Sequence, residues 1–185
     1  KARARGYTTI SLAATQRPTW ERATDPNDTW EYFTFINAAL FNIFETSLIN
    51  GYLKPDTYEL NQQALKWKSD ILLKHGMRGS LHLREPQWMP TPWFEDGRED
   101  LKGCRCEHPS VALSPHCAVN IDHPVVLEHY RELCRKLAEL APAVNHLLIC
   151  TNDSGAGINW CTGLYPGPNG PAAARDRDLR EGVRG

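Results

Sequence analysis

The chain has 185 residues, 41% of them hydrophobic and 23% charged, with 21 basic side chains against 22 acidic ones, an ordinary globular composition long enough for one good core and short for two domains. A formal charge of -1 removes the basic excess that phosphate-backbone binding requires, so no nucleic-acid partner is expected. The longest apolar runs, such as Leu147-Leu148-Ile149-Cys150, fall far below the roughly 20 residues of a membrane-spanning helix, and no membrane span is expected.

In chain order, the opening Lys-Ala-Arg-Ala-Arg carries neither a Met nor a hydrophobic signal segment, which reads as a processed protein or a piece of a longer one and leaves the compartment open. Residues Tyr7 to Ala14 are β-branched and aromatic and predict a first strand. A weak helix is expected from about Thr29 to Leu40, carrying Trp30, Phe33, Ile36 and Leu40, and the short apolar run Phe41 to Glu45 predicts a second strand. The firmest helix follows, with Asp56 and Glu59 as a capping box, Leu60, Ala64, Trp67 and Ile71 as its apolar face, and Gly76 just past its end.

Met77 to Arg84 alternates as a third strand, with His82 in its middle read as a satisfied core histidine. A helix capped by Asp122, with Pro124 in its first turn, repeats Val126, Tyr130, Leu133, Leu137 and Leu140 until Pro142 stops it. His146 to Thr151 predicts a fourth strand, near-continuously apolar as parallel strands buried on both faces are. Between strand three and the Asp122 helix, residues 86–121 hold five prolines, two tryptophans and three cysteines without sustained periodicity. Connections of that length are usually functional, so this one reads as an elaborated loop over an active-site face. A second Gly/Pro-rich stretch follows strand four at Gly155 to Pro171.

Strands alternating with amphipathic helices predict an α/β fold of (β/α) barrel type, a TIM barrel of which about four βα units are present as a single domain over residues 1–185. In such folds the ligand site gathers at the carboxyl ends of the parallel strands. Strand two delivers Glu45 there, strand three Arg84 and Glu85, and strand four Asn152 and Asp153. The long loops add Trp88, Trp93, Trp160 and Tyr165, flat apolar surfaces with a polar handle. Carboxylates among tryptophans suit a carbohydrate site, where one acid protonates a glycosidic oxygen and another acts as base or nucleophile.

Each residue also has a structural reading. Glu45 can pair with Arg84 or cap the next segment, Arg84 and Glu85 can form an ion pair, and Asn152-Asp153-Ser154-Gly155 can be turn chemistry after a strand. Cys134 and Cys150 fall in apolar patterns and read as buried small hydrophobes. Cys104-x-Cys106-x-His108 and His116-Cys117 offer zinc-type ligands, but without the C-x-x-C spacing of common structural sites. A disulfide from Cys104 or Cys106 to Cys117 is the competing reading. Neither Gly-x-Gly-x-x-Gly nor a phosphate-loop motif occurs, so no nucleotide cofactor, and no cofactor of any other kind, enters the expectation.

The segment Leu147-Leu148-Ile149-Cys150-Thr151-Asn152-Asp153-Ser154-Gly155-Ala156-Gly157, followed by the Trp160 and Tyr165 loop, resembles the fourth-strand region of (β/α)8 glycoside hydrolases of the α-glucuronidase and β-hexosaminidase type. In the first the strand runs into Asn-Ser-Glu-Gly and in the second into Asp-Glu, the glutamate being the general acid. Here Asp153 is one methylene shorter, and Ser154 stands where the α-glucuronidase glutamate aligns. The resemblance implies a glycoside hydrolase with Asp153 as acid and Glu85 or Glu45 as its carboxylate partner, acting on a carbohydrate substrate. Two rivals stand beside it: a non-catalytic carbohydrate-binding barrel remnant, and a zinc-stabilised hydrolase module using the Cys/His loop. Since a complete barrel needs eight strands, half of one also implies a homo-oligomer or a missing second half.

Overall fold

Pro55 fixes the backbone at the first helical position and opens helix α1 (Pro55–Lys74). Its other end closes as a Schellman turn: Gly76 adopts φ 62°, Gly76 N–H donates to the Leu73 carbonyl at 3.0 Å and Met77 N–H to the Leu72 carbonyl at 2.9 Å, which satisfies two carbonyls the helix leaves unpaired. Asp56 lies inside the first turn and is not the cap the sequence suggested. These features belong to a computed structural model that describes residues 1–12, 40–51, 55–86, 88–106 and 116–150.

The chain divides into two compact units, the first drawn from Lys1–Thr19, Ile36–Leu83 and His129–Ile149, the second from Trp20–Phe35, Arg84–Glu128 and Cys150–Gly185. A parallel sheet organises the first. Strands β1 (Thr9–Ser11) and β2 (Arg78–Arg84) pair with Ile10 opposite Gly79. A third parallel strand, Val144–Cys150, lies on the other side of β2, with Gly79 N–H donating to the Ala143 carbonyl at 2.8 Å. Gly79 has a packing reason: a Cβ there would stand 2.8 Å from Leu12 Cδ1 and 3.2 Å from Leu72 Cδ1, so the missing side chain lets two leucines meet over the central strand.

Phe41–Glu45 is not a strand. Leu40–Asn42 is a 3-10 turn, and Ile43 and Phe44 donate back to the Leu40 carbonyl. The carbonyls that a ladder would use are taken by α1, through Asn61 Nδ2 to Asn42 O at 2.8 Å and Gln62 Nε2 to Ile43 O at 2.9 Å. The apolar run is still core, since Leu40, Phe41, Ile43 and Phe44 are all buried. The parallel order therefore passes from β1 straight to β2, without the strand expected between them.

Which face of α1 is buried also departs from expectation. Tyr58, Asn61, Leu65, Ser69 and Leu72 face inward, whereas Leu60, Trp67 and Ile71 are exposed. The inward polar groups are satisfied locally, Asn61 at the Asn42 carbonyl and Ser69 Oγ as acceptor for Ala143 N–H at 3.1 Å. With Leu81, Leu83, Leu133 and Leu137, Leu65 and Leu72 complete the core of this unit.

The second unit accounts for much of the stretch read as a loop. It contains strand β3 (Trp88–Pro90), the single-turn helix α2 (Thr91–Phe94), and strands β4 (Lys102–Cys106) and β5 (His116–Val119). The three strands form an antiparallel sheet with β5 in the centre. Strands of three to five residues are too short to show a period-2 pattern, and the prolines mark their ends. Buried Met89, Phe94, Leu101, Cys117, Ala118 and Val119 line this unit. Helix α3 (Pro124–Leu140) leads to β6, the Val144–Cys150 strand. His123 rather than Asp122 caps α3, its Nδ1 accepting Val125 N–H at 3.2 Å while its carbonyl accepts Leu127 N–H at 3.0 Å. Asp122 instead donates its N–H to Asn120 Oδ1.

Candidate active site

Leu81 and Leu83 of β2 are buried, and His82 between them is exposed. Alternation along the pleat explains why His82 is not the core histidine expected. Directly beyond the strand, Glu85 is only 7% exposed and precedes Pro86 through a cis peptide. Of the described predicted acids, only this enclosed carboxyl stands at the carboxyl end of a parallel strand, the end where βα loops gather ligands.

Glu45 is not delivered by a strand. Its Oε1 accepts Gly51 N–H at 2.6 Å, which ties Glu45 across the turn over Ser47–Ile49. Its backbone carbonyl accepts Lys136 Nζ at 2.5 Å. Around these groups lies a cleft of about 500 Å³ lined by Phe44, Glu45, Gln62, Lys136, Glu139 and Leu140. Lys136 also pairs with Glu132 Oε1 at 2.7 Å, and this hydrogen bond holds the Glu132 carboxyl below the usual carboxylate range.

Beside that cleft the sequence reading missed a buried polar pair. His129, 3% exposed, places Nδ1 2.7 Å from Thr46 Oγ1, and its ring meets Tyr130 edge-on at 5.1 Å. Burial pushes its pKa down to about 4, against the opposing pull of Glu132. The available signal was positional: His129 falls three residues after Val126 and four before Leu133, on the stripe that the helix buries.

Trp93 lies on α2 in the second unit. Its ring packs edge-on against Phe94 at 4.9 Å, and the Arg98 guanidinium sits over it at 4.9 Å while Nη1 donates to the Trp93 carbonyl at 2.9 Å. One face of this indole is therefore occupied by a cation, a favourable contact for a ring quadrupole. Arg84 ends β2 and Trp88 begins β3. Asn152, Asp153, Trp160 and Tyr165 lie outside the described residues.

Cys117 is buried and forms no disulfide, and Cys134 forms none either. This overturns the Cys104 or Cys106 to Cys117 bridge. Cys117 pairs in register with Arg105 and not with either of the other two cysteines. Cys134 is exposed rather than buried because it follows Leu133 by one residue, about 100° around the helix. Among the described side chains no cluster of three or more His, Cys, Asp or Glu is placed to hold a metal ion, and no described helix is long and apolar enough to cross a membrane. No protein-family profile matches the chain, and neither the curated proteins nor the solved structures contain a match.

Proposed function

We propose that this chain is a (β/α) barrel-type glycoside hydrolase domain, cleaving glycosidic bonds by two-carboxylate acid chemistry. The observation that carries this reading is Glu85, buried at 7% exposure immediately past the carboxyl end of the central strand of a parallel sheet. The resemblance around Asn152-Asp153 supplies the second carboxyl: Asp153 protonates the leaving oxygen, and Glu85 acts as base or nucleophile. Arg84, Asn152, Trp88, Trp93, Trp160 and Tyr165 orient the sugar through hydrogen bonds and apolar ring faces. Glu45, committed to the Gly51 turn, is the weakest of the three acids for a chemical role.

The test is hydrolysis of a panel of aryl glycosides whose leaving groups differ in basicity. Asp153→Asn and Glu85→Gln should each lower turnover at least about 100-fold, the lower end of general acid-base contributions. The Asp153→Asn loss should shrink on substrates with very good leaving groups, which need little protonation. Full turnover in both variants on a poor leaving group would refute the assignment. Binding of sugar without hydrolysis by the unmodified chain would point to the carbohydrate-binding remnant instead.

A further inference from the structure

The apolar repeat that marks α1 in the sequence is the face that the fold turns outward. At about 100° per residue, Leu60, Ala64, Trp67 and Ile71 fall within about 60° of arc, away from the buried Tyr58, Asn61, Leu65, Ser69 and Leu72. Trp67 is 64% exposed and Leu60 47%. Singly exposed apolar side chains are ordinary, but a row of them along about 17 Å of one helix marks a contact surface. Charges close both ends of the row. Asp56 in the first turn and Lys74 in the last lie within about 20° of Trp67 around the helix axis. Both are exposed, and neither has an ion-pair partner among the described residues. One flank is already satisfied, since Gln63 Nε2 donates to Glu59 Oε1 at 3.0 Å and Lys66 Nζ to Asp70 Oδ2 at 2.8 Å.

Such a row is complementary to itself turned end for end. A two-fold axis midway between Leu65 and Lys66 sets Leu60 of one copy over Ile71 of the other and seats Trp67 on the small Ala64. Each contact occurs twice, because residues exchange roles across a two-fold interface. The same rotation brings Asp56 of each copy to Lys74 of the other and places opposite ends of the two helix dipoles together. Parallel pairing would instead oppose Asp56 to Asp56 and Lys74 to Lys74. We propose that α1 is a homodimer interface, in which two copies of this chain pair their α1 helices antiparallel through Leu60, Ala64, Trp67 and Ile71, with Asp56 and Lys74 fixing the register. Tryptophan is among the side chains that most often dominate an interface. A single helix pair lies at the low end of interface sizes, so the dimer is reversible and depends on concentration. It uses a different element from the carboxylates of the proposed hydrolysis and does not rest on that reading.

The test is sedimentation velocity of the full 185-residue chain with reductant present, from sub-micromolar to near-millimolar protein. A monomer–dimer equilibrium is expected, weakened by added salt. Trp67→Ala should weaken it at least about 30-fold, as loss of an interface hot spot does. In dilute protein the same change is nearly neutral to unfolding, because the ring is exposed in the monomer. Asp56→Lys and Lys74→Asp should each weaken self-association about tenfold by opposing like charges at both ends. An equimolar mixture of those two variants should recover the parent's affinity as a heterodimer, since every charge then meets its opposite. Circular dichroism checks that each variant is folded, and the salt dependence of the unmodified chain reads the charged ends without any variant. A monomer at every concentration, a dimer that folded Trp67→Ala leaves unchanged, or a mixture no tighter than its components would each overturn the proposal. The first result would give the row to another segment of the chain or to a foreign helix, and the second would move self-association to exposed Leu147, Leu148 and Ile149 of β6.

Discussion

Acid is expected to act on the first unit through the buried His129. Its folded-state pKa of about 4 lies below the ordinary 6.5 because burial disfavours the imidazolium. Between those values the unfolded chain binds the proton and the folded chain does not, so stability is at its full value above pH 6.5 and falls as pH drops toward 4. The size of the effect is on the order of 3 kcal/mol at 1.36 kcal/mol per unit. Glu132 acts in a lower window: its depressed pKa contributes stability that is lost only as pH falls below the unfolded carboxylate range. Denaturant midpoints of the parent and His129→Gln between pH 7.5 and 5 should therefore diverge, with the parent losing stability on acidification and the variant nearly flat. Parallel slopes for the two proteins would rule His129 out as the sensitive group. Thr46→Val should cost about 1–3 kcal/mol at neutral pH, the penalty for leaving a buried ring nitrogen unsatisfied.

At the scale of elements, α1 separates what a period can reveal from what it cannot. Its existence and its glycine stop were legible, because Gly76 follows a long apolar repeat and then supplies the positive φ of the Schellman turn. Its buried face was not, because two stripes compete along the same helix: Leu60, Trp67 and Ile71, and the mixed Tyr58, Asn61, Leu65, Ser69 and Leu72. Hydrophobicity alone favours the first. The second wins because Asn61 and Ser69 carry backbone partners with them, and those partners lie far away in sequence. Leu65→Ala should thus cost about 2–5 kcal/mol, as buried leucine truncations do, while Trp67→Ala, 64% exposed, should stay within about 0.5 kcal/mol. Urea unfolding of the two variants checks this, and a larger loss for Trp67→Ala would restore the face read from the repeat. Residues 41–45 failed for a related reason: short apolar runs do not distinguish a strand from a buried turn, and Gln62 and Asn61 decide the outcome from another element.

For the whole molecule, the alternation of parallel strands and helices was readable in Met77 to Arg84, the α3 stripe and the existence of a strand from His146 onward, and so was Glu85 at a strand end, but that last strand starts at Val144 and exposes Leu147, Leu148 and Ile149 instead of burying both faces. The antiparallel sheet was not, because its register is set across residues ten or more apart and no strand in it is longer than five residues. That division of the chain into a parallel unit and an antiparallel one has a measurable consequence when metal is removed. The core of the first unit is built from residues such as Leu65, Leu81, Leu133 and Leu137 and contains no thiolate, so its stability comes from apolar burial and does not depend on a bound cation. Treatment with chelator should therefore leave the amides of Leu65 to Leu72 and Leu81 to Leu83 as protected as before. The buried aliphatic helix faces then still resist exchange at the rate of global unfolding. Uniform loss of protection across both units on chelation would show that metal supports the whole fold, and the separate apolar core inferred for the first unit would have to be abandoned.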